Sequence, residues 1–323
     1  MSGKKGKEIP VFFAADDNYC PFLAVALQSL TDHTSEENRY CIRILHTHIS
    51  QENKEELYQY EKRNVSIIFD NVSCYIEKIE DKLYTRDYYS RTTYFRLFIP
   101  ALYPQYDKVL YFDSDIVILE DIARLYQMDM GNSLIAAAPD DVIQRNEAFR
   151  AYAEKVVGVA DYHGYFNAGV LLMNLRELRS FRLEEKFLYS LERIYFPVAQ
   201  DQDYLNRLCK GRVKMVGRIW NRMPIPDPAI QTEDVKLIHF NLAFKPWHFD
   251  NILYEDFFWR YARRTRYFDK ILKIREEYTE AERYRDNQTH EKLIRLAERE
   301  ADCVGDDREY RKAVMLPEAV SIG

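Results

Sequence analysis

Two aspartates one residue apart, Asp113 and Asp115 in KVLYFDSDIVILED, follow an apolar run that reads as a strand. Alternate side chains of an extended chain share a face, so both carboxylates project together. Such a pair at a strand end suits a hard divalent cation bridging a diphosphate, against the bland alternative of a solvated turn. IHFNLAFKPWH adds His239 at the end of another apolar run and Lys245 six residues on. A neutral imidazole can complete a carboxylate site and favours Mn²⁺ over Mg²⁺. An ammonium neutralises phosphate as a point charge. Standing alone, His239 reads more simply as a satisfied strand-end histidine, and Trp247 as packing. In AQDQDYLN, Asp201 and Asp203 flank Gln202 at a helix start, where carboxylates also serve as caps. AADDNY offers Asp16, Asp17 and Asn18 as hydrogen-bonding groups and Tyr19 as an aromatic face, or else an ordinary Asx turn. His46 and His48 share a strand face but have no evident carboxylate partner.

These groups need elements that bring strand ends together. Apolar runs predict strands at 9–15, 40–47, 65–69, 108–112, 134–138, 169–174, 213–216 and 235–239. Amphipathic segments predict helices at about 20–33, 50–63, 91–99, 144–157, 176–193 and 200–209. Repeated strand–helix alternation predicts an α/β fold whose mainly parallel sheet is flanked by helices. Ligands gather at the carboxyl ends of such strands, where Asp113, Asp115 and His239 fall. The texture changes near 255. Between Arg260 and Arg275 stand seven basic residues and one acidic, interleaved with aromatics, and then a charged helix-prone stretch to 302. The pattern predicts a C-terminal helical appendage over 255–302, with its charged stretch forming two helices broken near Asn287. A basic tail at 1–8 and a polar tail at 303–323 flank the rest. Residues 255–275 read as a helix on a membrane surface, as a helix docked on the catalytic domain, or as a contact between two copies in a homodimer.

Composition removes several function classes. Among 323 residues there are only 10 glycines, and no G-x-G-x-x-G can be written with them. Gly164 and Gly169 have the outer spacing of a Walker loop, but Val170 stands where lysine is required. A net charge of -6 argues against a nucleic-acid partner bound through bulk charge. The 5 cysteines form no C-x-x-C and read as reduced thiols of a cytoplasmic protein. The apolar run from Ile9 ends at Asp16 and reads as a strand, not as the core of a signal peptide.

FAADDNY, TTYFRL, KVLYFDSDIVI, GYFNAGVLLMNL, QDQDYLN and HFNLAFKPWH together resemble, in order and spacing, glycosyltransferase family 8, particularly its bacterial lipooligosaccharide galactosyltransferase branch. The resemblance implies a GT-A catalytic domain over 9–254, binding a UDP-sugar with a divalent cation, usually Mn²⁺. It implies transfer of a hexose, with retention of anomeric configuration, to a glycan, glycolipid or glycoprotein acceptor of the cell envelope. Such an enzyme would lie in the cytoplasm or on the inner face of the membrane. Asp16, Asn18, Tyr19 and Ser114 fall at nucleotide-binding positions, Tyr19 by stacking on uracil. Asp113, Asp115 and His239 match the metal ligands, and Lys245 the diphosphate-binding lysine. Arg96, Asp140, Asn167 and Asp201 match residues around the donor sugar, and Gln202 the residue near the anomeric carbon. Asp203 is the candidate nucleophile of a double displacement, against front-side attack beside Gln202. Leu242 departs from the pattern, standing where the family has a glycine whose backbone helps bind phosphate. Two other classes fit the same residues: a nucleotide-sugar hydrolase or nucleotidyltransferase, and a non-catalytic sugar-binding module.

Overall fold

The computed structural model describes residues 8–79, 83, 91–241 and 243–303. Residues 1–7 and 304–323, which hold nearly all of both tails, and Leu242 lie outside the described residues.

Four apolar runs form the parallel strands β1 (Glu8–Ala14), β2 (Arg39–His46), β3 (Val65–Asn71) and β4 (Lys108–Phe112). Strand β1 is apolar from Ile9 onward because both faces are covered: Val11 and Phe13 enter one core, Phe12 and Ala14 the other. Then come β5 (Ile116–Ile118), β6 (Ile135–Pro139), β7 (Phe166–Asn174), β8 (Val213–Met215) and β9 (Leu237–His239). The seven-stranded sheet runs β3-β2-β1-β4-β7-β6-β8. It is mostly parallel, as expected, but β7 runs antiparallel to both β4 and β6. That reversal puts the start of β7 beside the carboxyl ends of β1 and β4. Strand β9 leaves the main sheet and pairs antiparallel with β5, setting Ile116 opposite His239.

The helices that matter for the site are α1 (Cys20–Asp32), α2 (Gln51–Tyr58), α3 (Glu147–Tyr152), α4 (Leu183–Arg193), α5 (Asp201–Cys209), α6 (Glu255–Ala262), α7 (Phe268–Glu277) and α8 (Glu280–Asp302). The single helix expected over 176–193 is two, parted where Arg182 adopts φ 60°. The expected break near Asn287 is absent, since α8 passes through it without interruption. The chain breaks instead at Tyr278–Thr279, where Thr279 and Glu282 cap each other's backbone at the start of α8.

The last three helices grip both faces of the sheet. Phe258, Trp259, Tyr261, Tyr267 and Ile271 of the α6–α7 region join the core that contains α1. The basic residues between them face outward, Arg264 pairing with Asp32 and Arg266 with Glu56 on α2. The docked-helix reading therefore describes 255–275, and the aromatic side that insertion into a membrane would use is inside the protein. On the opposite face α8 packs Leu293 and Ala297 into the second core, against α3. Among the described residues no helix is long and apolar enough to cross a membrane.

Candidate active site

Strands β1 and β4 pair in parallel with Phe13 beside Phe112, so Ala14–Tyr19 and Asp113–Asp115 leave the sheet side by side. Ser114 ties the two ends together, its hydroxyl donating to the Ala14 carbonyl at 3.0 Å. The β5–β9 ribbon then carries His239 back to the aspartates. Its backbone is pinned there, Phe240 N donating to the Asp115 carbonyl at 2.9 Å. Among the described residues, Asp113, Asp115 and His239 form the one group of three whose ligand atoms lie within 4.8 Å of one another. His46 and His48 belong to no such group.

The imidazole is oriented from behind. Its Nδ1 lies 3.0 Å from Asn221 Oδ1, and its Nε2 faces Asp115 at 3.2 Å and Asp113 at 3.7 Å. An amide oxygen accepts only from an N–H, so Nδ1 carries the proton and the Nε2 lone pair points at the carboxylates. Two carboxylates and a neutral imidazole are a fit for a hard to intermediate divalent ion. From Asn221 a chain of side-chain hydrogen bonds continues. Asn221 donates to Asn167 Oδ1 at 2.9 Å, Asn167 donates to Asp140 Oδ2 at 3.0 Å, and Gln202 donates to the same oxygen at 3.1 Å. The Gln202 carbonyl accepts from Ala168 N at 2.9 Å, which fixes which end of the amide is oxygen. The candidate ligand His239 and Gln202 are thus held by one buried relay.

Gly169 lies under this site. A Cβ there would fall 2.1 Å from His239 Cε1 and 2.7 Å from Asp113 Oδ2. Reading this glycine only against a phosphate loop missed its use, which is to let β7 pass beneath the ligands. Asn221 was missed as well, and nothing in its local sequence signals it.

The cationic groups complete the electrostatics. Lys245 bonds Asp115 and the Phe240 carbonyl. Burial pushes the Asp115 carboxyl up, but the Lys245 ammonium outweighs it and holds the carboxyl well below the usual carboxylate range. Arg96 is buried and bridges two carboxylates, Asp113 at 3.1 Å and Asp201 at 3.0 Å, over the Tyr111 ring. Burial disfavours its charge, yet Asp113 and Asp201 more than restore it. Asp201 responds the other way: burial pushes its carboxyl up to about 6 despite Arg96.

One cleft is lined by Tyr19, Ser114, the three candidate ligands and Lys245 at one end, with Arg96, Asp140, Asn167, Asp201 and Gln202 beyond them. Asp16 and Asn18 do not line it. Asp16 Oδ1 accepts from the backbone N–H of Asn18 and Tyr19 at 3.0 Å, the Asx-type cap, and Asn18 is exposed. Asp203 also lies outside the cleft wall. It is fully buried, accepting from Tyr165 at 2.5 Å, Tyr152 at 2.8 Å and Ala199 N at 2.8 Å. Both of its oxygens are engaged by those three donors, away from the cleft where a nucleophile would stand. It also steadies Gln200, held before α5 at φ 48°. Trp247 stacks on Phe22 with ring centroids 3.9 Å apart, as packing requires.

The model of glycosyl transferase family 8 matches residues 10–251. The chain belongs to this family. Within family 8, it is 33% identical over 178 residues to the lipopolysaccharide 1,2-glucosyltransferase of Escherichia coli K12, covering 50% of each chain. Its fold is similar to the galactosyltransferase LgtC, solved with donor and acceptor sugar analogs, at TM-score 0.67 and 28% identity over 80% of this chain and 96% of that one. It is also similar to the bifunctional glycosyltransferase WbbM, at TM-score 0.72 and 26% identity, over 85% of this chain and 52% of that one. The chain thus spans about half the length of WbbM and of the glucosyltransferase. This family 8 chain is a glycosyltransferase with the α/β architecture of GT-A enzymes.

Proposed function

We propose that this cleft transfers a hexose from a UDP-sugar, UDP-galactose or UDP-glucose, to a glycan or glycolipid acceptor with retention of configuration. The observation that carries the reading is the convergence of Asp113, Asp115 and His239 with Lys245 and Tyr19 in one cleft. Asp113, Asp115 and His239 would hold a divalent ion, Mn²⁺ by its donor set or Mg²⁺, which neutralises charge on the departing diphosphate. Lys245 adds a point charge for the same phosphates. Tyr19 and Ser114 stand at the strand ends where the uridine would lie, Tyr19 offering its ring to the base. Arg96 keeps Asp113 and Asp201 in place from within the protein.

The Gln202 amide is bonded at both ends, and Asp203 is enclosed by its donors. Neither is set up as a nucleophile, which supports front-side attack. In that path the bond from the anomeric carbon to the UDP oxygen breaks while the acceptor oxygen bonds the same face. The departing phosphate oxygen takes the acceptor proton. Gln202 supplies a polar neighbour to the developing positive charge. Outward-facing basic residues on 260–273 give the enzyme a charged face suited to an anionic membrane surface, by attraction and not by insertion.

The experiment is UDP release from a panel of UDP-sugars with Mn²⁺, with and without glycan. Slow release that glycan accelerates supports a transferase, whereas release indifferent to glycan supports a hydrolase. Asp113→Asn and His239→Ala should each lower release at least about a hundredfold while circular dichroism stays unchanged. Full activity in either variant overturns the metal assignment, and no affinity for UDP by calorimetry revives the sugar-binding module.

A further inference from the structure

Helix α2 is mostly exposed, and its buried residues are Asn53 and Leu57. Asn53 holds a place where an apolar side chain would pack better, and its amide joins two parts of the chain distant in sequence. Its Nδ2 donates to Asp17 Oδ1 at 2.8 Å and to the Asp17 carbonyl at 3.3 Å, while its Oδ1 accepts from the Tyr267 hydroxyl at 2.7 Å. The orientation is forced. A carboxylate only accepts, so it takes the amino end and leaves the oxygen for the hydroxyl. Asp17 Oδ1 also accepts from Ser50 N at 2.7 Å. Asp17 belongs to the loop that leaves β1 and carries Tyr19 into the cleft. Tyr267 is buried between α6 and α7, beyond residue 251 where the family match stops.

A second tie runs beside the first. The Tyr19 ring meets Phe22 edge-on, with centroids 5.4 Å apart and planes at 74°. Phe22 stacks on Trp247, and Trp247 lies 4.9 Å from Phe258 of α6. An aromatic column therefore reaches from α6 to the ring offered to the base, while the polar relay holds the backbone two residues before that ring. Packing alone would be served by phenylalanine at 267. The hydroxyl adds the bond to Asn53, whose other end holds Asp17.

We infer that Tyr267 is a positioning residue for the nucleotide: through Asn53 and Asp17 it sets the loop on which Tyr19 meets the base, so that the C-terminal helices tune donor affinity. The inference rests on the UDP-sugar reading of the same cleft. Without the hydroxyl, Asn53 Oδ1 is left buried with no donor, and the amide is free to turn away from Asp17. The loosened loop is then ordered only when nucleotide binds, and that ordering subtracts from affinity. The proposed metal ligands, Lys245 and Gln202 are held by other elements, so the effect falls on donor binding and not on turnover.

The test uses the full chain with Mn²⁺. Calorimetric titration gives the affinity for UDP, and UDP release from UDP-galactose and UDP-glucose gives KM and kcat. Tyr267→Phe should raise Kd for UDP, and KM for the UDP-sugar turned over, about three- to tenfold, the worth of one hydrogen bond. Its kcat should move by less than about twofold. Asn53→Ala should do as much, and adding Tyr267→Phe to it should weaken UDP binding no further, since the relay is already cut. Ile271→Val trims the fully buried face of α7 and controls for the seating of that helix. It should lower the urea midpoint about as far as Tyr267→Phe does while leaving UDP affinity unchanged. An unchanged UDP affinity in Tyr267→Phe overturns the inference. So does a loss in kcat in place of the rise in KM, an additive double variant, or an equal loss of affinity in Ile271→Val, which would mark a merely structural helix. A parent protein with no affinity for UDP fails the donor reading and takes this inference with it, a result told apart by the parent titration alone.

Discussion

Replacing Gly169 by alanine adds one methyl group where the proposed metal ligands His239 and Asp113 lie against the backbone. The new Cβ would sit 2.1 Å from His239 Cε1 and 2.8 Å from its Nδ1, whereas ordinary contact begins at 3.4 Å. The strand cannot yield, because Gly169 O accepts from Asp113 N at 2.8 Å and the flanking residues pair with β4. The imidazole must therefore retreat by about 1.3 Å, the shortfall in that contact. A movement of that size breaks the 3.0 Å bond to Asn221 and the 3.2 Å approach to Asp115. The folding cost is that of modest overpacking, about 1–3 kcal/mol. The cost to the site is larger, since loss of ligand orientation weakens metal binding by about ten- to a hundredfold. Calorimetric titration of Mn²⁺ in the presence of UDP reads affinity without turnover, and urea unfolding reads stability. A Gly169→Ala protein that binds Mn²⁺ as tightly as the parent refutes the packing account of this glycine and the placement of His239 as a ligand.

Two further outcomes follow from the carboxylates beside Gln202. Asp203→Ala strands two tyrosine hydroxyls and a backbone N–H inside the protein and should destabilise it by about 3–5 kcal/mol in urea unfolding. A covalent glycosyl adduct on Asp203, detected by mass spectrometry in the parent, would reverse its assignment as a structural group. Asp201 has a folded pKa of about 6 against an ordinary 3.8. Its ionisation therefore costs nothing below pH 4, and the penalty grows through pH 6 to about 3 kcal/mol above pH 7. Relative to Asp201→Asn, the parent should lose stability over that window as pH rises, and a pH-independent difference between the two would be inconsistent with the burial described.

Much of the fold was legible because the sheet is covered on both faces, which makes Ile9–Ala14 of β1 and Val109–Phe112 of β4 unbroken apolar runs and marks them in the sequence. The direction of β7 was not legible. A buried antiparallel strand between two others is as apolar as a parallel one, and only the spatial order of the strands tells them apart. The capping pair Thr279 and Glu282 was a readable signal for the break before α8, but the asparagine at 287 drew the boundary instead. In the site, Asp113, Asp115, His239, Lys245 and Gln202 met as their motifs implied. Asn221 did not announce itself, because an amide that steers a histidine has no required spacing from it. The surroundings of Asp203 were illegible for a related reason: a carboxylate in a first helical turn looks the same whether it faces a cleft or two tyrosines. The aromatic and basic run at 255–275 gave both faces of its helices, but not which face the rest of the chain would cover.

The ribbon that sets Ile116 opposite His239 has a consequence for the timing of assembly. Lys245 meets Asp115 across 130 residues of chain, and no local segment brings them together. During synthesis the two aspartates emerge long before their histidine and lysine, and the intervening chain includes β7 and Gly169. Contacts so distant in sequence form late. A growing or partly folded chain therefore carries acidic strand ends but no finished reaction centre, and nucleotide-sugar can be spent only by molecules that have closed the ribbon.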